Sequence, residues 1–168
     1  MAPVFSFIAW SGTGKTTYLE RLIAALKARG ARVAVVKHDA HRFQVDKEGK
    51  DSWRFAQAGA DVVAVADGEK CAVMDYRPTP LPDILSMLRD VDLVLVEGWH
   101  EDAENPILVY RAGTGQAPKL DPAGCLAAVS DVTLDAGDRP CFPLDDPAPM
   151  AEFLLERIGK TPLQTQEI

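Results

Sequence analysis

The chain has 168 residues, 47% apolar and 26% charged, proportions that suit one ordinary globular core and exclude wholesale disorder. A formal net charge of −7 argues against a general nucleic-acid or anionic-membrane surface, which needs basic residues. No run approaches the ~18 apolar residues of a membrane helix, so the expectation is a cytoplasmic protein with neither a membrane nor a nucleic acid as partner.

In chain order, Val4–Ala9 reads as a buried strand with no basic segment before it, hence not as a signal peptide. Leu19, Leu22, Ile23 and Leu26 follow at helical spacing, and Gly30 stands where such a helix would end. Arg32–Lys37 is a second strand, and residues 38–50 form a long polar loop of the kind that is usually functional. Asp51 or Ser52 would cap a short helix ending at Gly59. Val62–Ala66 and Cys71–Asp75 flank Asp67-Gly68-Glu69-Lys70 as a hairpin, which implies that part of the sheet is antiparallel. After a proline-punctuated linker, Leu81, Ile84, Leu85 and Leu88 repeat the helical spacing. Asp92–Val96, Pro106–Tyr110 and Leu126–Val129 are strands, Cys141–Leu144 is a weaker one, and Asp146-Pro147 opens a last helix around Met150, Phe153, Leu154 and Ile158. Strands alternating with helices imply an α/β three-layer sandwich with a mostly parallel sheet. Residues 1–159 make one domain in this reading, and 160–168 a disordered tail. The three cysteines, Cys71, Cys125 and Cys141, lack a CxxC pair and read as small core residues.

The chemistry-bearing signal is Ala9-Trp10-Ser11-Gly12-Thr13-Gly14-Lys15-Thr16. It follows the phosphate-loop pattern GxxxxGK[ST] with Ala9 at the first glycine, between an apolar strand and an amphipathic helix. Ser11, Gly12, Thr13 and Gly14 would turn backbone N–H groups onto a phosphate at the helix start. Lys15 would add a mobile positive charge at the outer phosphates, Thr16 a hydroxyl for Mg²⁺, and Thr17 a contact to the inner phosphate. Ala9 is harmless only if its backbone keeps strand-like geometry.

A metal between phosphates also needs a carboxylate, and ligands of parallel sheets gather at strand carboxyl ends. Asp92 begins its strand and Glu97 ends it, roughly 16 Å away at about 3.3 Å per residue. Glu97 is therefore the candidate acid for Mg²⁺ or for the attacking water, and Gly98 could offer its N–H to an outer phosphate. Asp39 leaves the second strand at the same edge as a further metal-shell candidate. His38 and His41 have a spacing compatible with a metal pair, though two solvated loop histidines account for them equally well. Asp131, after a late strand, could read a guanine base or could serve as a plain turn residue. Trp10 could cover a ligand or belong to the core.

Several stretches in order then resemble the molybdopterin-guanine dinucleotide biosynthesis adapter (MobB) family. They are residues 9–17, Val36-Lys37-His38, residues 45–52, Ala58-Gly59-Ala60, Leu95-Val96-Glu97-Gly98 and Ser130-Asp131-Val132. The Lys-His pair followed by Asp46-Lys47-Glu48-Gly49-Lys50-Asp51-Ser52 is the most particular of these. The resemblance implies a phosphate-loop NTPase fold and a GTP-binding homodimer that uses Mg²⁺ and hydrolyses GTP feebly. It also implies a guanylyltransferase partner, MobA, which joins GMP to molybdopterin, with molybdopterin itself as a further ligand candidate. Carried over, Gly12 to Thr17 would hold phosphates and Mg²⁺, and Glu97 would be the strand-end acid. The loop with His38, His41, Asp46, Lys50 and Asp51 would face ligand or partner. The chain departs from the family's usual residues at Asp39, Arg42, Gln44 and Trp99-His100.

Two other classes share the loop. A small-molecule or nucleotide kinase would need a lid of arginines, for which Arg42, Arg54 and Arg77 are the material. A metallochaperone GTPase would need paired Cys or His, for which His38, His41 and Cys71 are the material.

Overall fold

The computed structural model describes residues 1–38, 43–101 and 103–160. The chain divides into two compact units, one from Met1–His38 with Asp90–Ile168 and one from Asp39–Arg89.

The first unit is built on strands β1 (Val4–Ile8), β2 (Val33–Lys37), β5 (Leu93–Glu97), β6 (Ile107–Tyr110), β7 (Ala127–Ser130) and β8 (Cys141–Pro143). They lie side by side in the order β2-β5-β1-β6-β7-β8, and every neighbouring pair is parallel. Register fixes what collects at one edge. Phe7 is level with Glu97 and Ile107, Lys37 is level with Glu97, and Tyr110 is level with Ser130. The residues just beyond these positions therefore share the carboxyl edge of the sheet.

Alternation along the strands decides the packing. Phe5 and Phe7 of β1, Leu93 and Leu95 of β5, and Val109 of β6 join Leu19, Leu22 and Leu26 of α1 (Lys15–Ala28) in one buried cluster. Met150, Ala151, Leu154 and Leu155 of α4 (Ala148–Arg157) complete it. At about 1.5–3 kcal/mol for each fully buried large apolar side chain, this cluster is what holds the phosphate-loop helix on its strand. Leu108 and Ala128, one residue out of phase, face the other way and pack with Cys125. α1 stops where it was expected to: Gly30 N–H bonds the Lys27 carbonyl and Ala31 N–H the Leu26 carbonyl, closing off the last turn.

The second unit holds α2 (Asp51–Gln57), the antiparallel pair β3 (Val62–Ala66) and β4 (Cys71–Asp75), and α3 (Leu81–Met87). The Asp67 carboxylate accepts from the Glu69 and Lys70 N–H groups and closes the hairpin turn.

Several expectations change. The antiparallel pair is a two-stranded sheet of its own, and the six-stranded sheet is parallel throughout. Asp51 is the first helical residue of α2 and Lys50 its cap, because the Asp46 carboxylate already takes the Ser52 hydroxyl at 2.9 Å. Leu88 falls outside α3, its backbone being extended. Of the cysteines only Cys125 is buried, where loss of solvation raises its thiol pKa; Cys71 and Cys141 are exposed.

Candidate functional site

β1 ends at Ile8, and residues 9–14 turn the chain into α1, which begins at Lys15. Ala9 is buried, and it is absent from the non-glycine residues at positive φ, which among the described residues are Asp90 and Asn105. Its methyl group thus meets no left-handed backbone, which is why alanine fits where the pattern has glycine. Three carbonyls of the turn are tied down: the Thr13 hydroxyl donates to Trp10 O at 3.0 Å, Arg111 Nε to Thr13 O at 2.9 Å, and Tyr18 N–H to Gly14 O at 2.9 Å. Among the described residues, the backbone N–H groups of Ser11, Gly12 and residues 14–17 donate to no backbone carbonyl, while the turn at Ser11-Gly12 points the Thr13 N–H toward Trp10 O. Uncommitted N–H groups at a helix start, reinforced by the helix dipole, form a cradle for an anion.

Beneath this cradle the sheet register brings Glu97 to the loop. Glu97 Oε1 accepts from the Thr16 hydroxyl at 2.7 Å and lies 3.2 Å from Lys15 Nζ. Glu97 is only 8% exposed. Burial pushes its pKa up, but the Thr16 hydroxyl and the Lys15 and Lys37 charges outweigh burial and hold it below the ordinary glutamate value. It is therefore an anion at neutral pH, with a lysine and a hydroxyl already on one of its oxygens. Asp92, by contrast, precedes β5 at the opposite edge, where it accepts from the Arg32 N–H and Lys160 Nζ at 2.6 Å each.

The next residues are placed by the same edge. Gly98 has φ +84°, and a methyl group there would stand 2.6 Å from the His38 carbonyl oxygen, so only glycine fits. His38 N–H donates to Glu97 O at 2.8 Å, and the His38 ring lies 4.7 Å from the Trp99 ring. Thr17 is exposed at the loop, as is Ser11. Asp39, His41 and Arg42 lie outside the described residues. Asp131 follows β7, and its Oδ1 accepts the Ala112 N–H at 2.9 Å, tying the segment after β7 to the one after β6.

Three residues beside the loop, Arg111, Lys119 and His100, carry no sequence signal of their own role, and Trp10 of the loop, open between ligand cover and core in the sequence, joins them. Arg111, just after β6, bonds the loop carbonyl already named. Trp10 is 41% exposed, so it is not core; its Nε1 donates to Ala117 O at 2.9 Å. Lys119 Nζ sits 4.7 Å from the centre of the Trp10 ring and 2.8 Å from His100 Nε2. Burial, then the charge of Lys15, lowers the Lys119 pKa. Burial, then the charges of Lys119, Lys15 and His38, lowers that of His100. An isolated Arg, Lys or His in a turn is ordinary surface chemistry in sequence; only the register shows that these meet.

In the second unit, Asp46 Oδ1 accepts from the Lys47 N–H and the Ser52 hydroxyl, and Lys50 N–H donates to Lys47 O. The particular Asp46–Ser52 stretch is thus a self-braced turn leading into α2, with Asp51 exposed beside Arg54. Arg77 is engaged by both oxygens of Asp75, at 2.9 and 2.7 Å, which ties up one of the arginines a kinase lid would use. Among the described residues, no three His, Cys, Asp or Glu side chains stand together as a metal site, and no helix is long and apolar enough to cross a membrane.

Comparison with known proteins adds a family. The model of the family described as molybdopterin guanine dinucleotide synthesis protein B matches residues 4–131. A molybdopterin-guanine dinucleotide biosynthesis adapter protein of Escherichia coli (strain K12) is 38% identical over 168 residues, 95% of each chain. One from Haemophilus influenzae is 40% identical over 157 residues, 90% of this chain and 87% of that protein. A solved molybdopterin-guanine biosynthesis protein B has a TM-score of 0.70 at 29% identity, over 94% of this chain and 99% of that one.

Proposed function

The chain belongs to the molybdopterin guanine dinucleotide synthesis protein B family and serves as an adapter in molybdopterin guanine dinucleotide biosynthesis; from that membership we propose that it does so by binding GTP with Mg²⁺ at the loop of residues 9–17. The observation that carries the reading is the convergence of Lys15 and Thr16 on Glu97 beneath a turn whose N–H groups, Thr13 excepted, are uncommitted. On arrival of a nucleotide, Lys15 exchanges a carboxylate for a phosphate, a trade between two charge-assisted contacts. The N–H groups of Gly12 to Thr17 take the inner phosphates, as in other loops of this pattern.

The donors suit Mg²⁺, a hard cation that prefers oxygen ligands: the Thr16 hydroxyl and the Glu97 carboxylate already stand 2.7 Å apart. When bound, the ion neutralises charge between the outer phosphates. Hydrolysis is slow in this reading, because Glu97 is taken up with Thr16 in holding the metal and no other group is assigned to position the attacking water, a contribution worth orders of magnitude in rate. The protein works as a homodimer whose nucleotide-dependent surface is read by the guanylyltransferase MobA. The loop around His38, His41, Asp46, Lys50 and Asp51 faces that partner or molybdopterin.

The test is calorimetric titration with GTP, GDP and ATP in Mg²⁺, alongside Lys15→Ala. The expected result is guanine-selective binding, weakened about a hundredfold in the variant, the scale of a charge-assisted contact worth about 2–3 kcal/mol. Selective ATP binding would transfer the site to a kinase. No nucleotide binding, alone or with MobA present, would overturn the reading.

A further inference from the structure

The connection between β6 and β7 is fastened to the phosphate loop at several points. Arg111 bonds Thr13 O, Trp10 Nε1 bonds Ala117 O, and the Lys119 ammonium lies over the Trp10 ring. The same ammonium donates to His100 Nε2 at 2.8 Å. Lys119 is thus held from two sides, by a residue of the loop after β1 and by one that follows Glu97-Gly98 after β5. These two segments bracket the outer end of a phosphate chain laid along the loop, since the helix start takes the inner phosphates.

The charge there is unbalanced. Lys15 has Glu97, whereas among the described residues Lys119 has no carboxylate within salt-bridge distance. Its two contacts, an aromatic face and an imidazole nitrogen, accept a cation without cancelling its charge. Burial first, and then the charge of Lys15, lowers the proton affinity of Lys119. An ammonium fastened beside the phosphate loop with no carboxylate of its own favours an anion next to it.

From this placement we infer that Lys119, backed by His100 and Trp10, is a subsite for the terminal phosphate of a nucleoside triphosphate and gives the site its preference for triphosphate over diphosphate. The inference rests on the nucleotide-binding reading above and adds the residue that counts the phosphates. Trp10 positions the ammonium and need not touch the base.

The experiment compares Mg²⁺-GTP with Mg²⁺-GDP by calorimetry for the wild-type protein, Lys119→Met, Lys119→Gln and Lys119→Arg. Loss of one ammonium–phosphate contact should weaken GTP about tenfold or more while GDP changes less than about twofold. Lys119→Arg should restore most of the difference. Either neutral variant suffices, provided its melting temperature matches the wild type. Equal weakening of GTP and GDP, or an unchanged ratio, overturns the subsite and leaves nucleotide binding standing. Failure of the wild type to bind either nucleotide, alone or with MobA present, overturns both.

Discussion

Gly98 and Gly12 make a matched pair of perturbations. Both sit in left-handed backbone, at φ +84° and +81°. A methyl group at Gly12 would meet nothing within 4 Å, but at Gly98 it would stand 2.6 Å from the His38 carbonyl oxygen. An L-residue in left-handed geometry costs about 1–2 kcal/mol, and replacing glycine by alanine returns about 0.4–1 kcal/mol by restricting the unfolded chain. Gly12→Ala should therefore destabilise by about 0.5–1.5 kcal/mol. Gly98→Ala carries the same conformational cost and must also separate two backbone segments that the His38 N–H ties to Glu97 O at 2.8 Å. Overpacking of that kind adds about 1–3 kcal/mol, and the part that has to move is the end of β5 carrying Glu97. Urea denaturation followed by circular dichroism measures both variants, with shifts in midpoint at constant slope read as stability. If the two lie within about 0.5 kcal/mol of each other, close to the error of additive comparisons, the steric reasoning at Gly98 is wrong.

Other outcomes follow from contacts already described. Arg111→Ala removes the donor to Thr13 O, and because the guanidinium is partly solvated the loss should be about 1 kcal/mol. It should appear as roughly fivefold weaker nucleotide binding by calorimetry, with the triphosphate-to-diphosphate ratio unchanged; a changed ratio would place Arg111 on the phosphate itself. Asp92 is held at a pKa of about 2, first by the Lys160 ammonium and then by the Arg32 N–H. Its folded value lies below the ordinary aspartate value of about 3.9. That stability is therefore complete above about pH 4 and is lost as pH falls through about 2. Asp92→Asn should flatten the acid side of the stability profile in that window, and a profile superimposable on the wild type would show that these contacts do not persist in solution.

Much of the site was legible because the phosphate loop is a local object. Glycine spacing, a lysine and a hydroxyl within eight residues, an apolar strand before and a periodic helix after are all read without knowing what packs where. Glu97 could be told from Asp92 because in a parallel sheet the direction of a strand decides which of its ends meets the ligand. The adapter family also rested on ordered local stretches, residues 4–131 of which match the family. Backbone dihedrals were not legible: whether Ala9 was tolerable turned on its φ, which composition does not encode.

What tertiary structure alone decided is the company the loop keeps. Arg111, Ala117 and Lys119 lie about a hundred residues from Trp10 and Thr13, and His100 lies 19 residues from Lys119. They meet because parallel register levels Phe7 with Glu97 and Ile107, which delivers the chain after β5 and after β6 to one edge. The separation of the hairpin into its own sheet was equally invisible, because alternation of apolar residues announces a strand but not its neighbour. Local patterns specify the conformation of a segment; which segments become adjacent is set by burying the apolar faces of all of them at once, and that is a property of the whole chain.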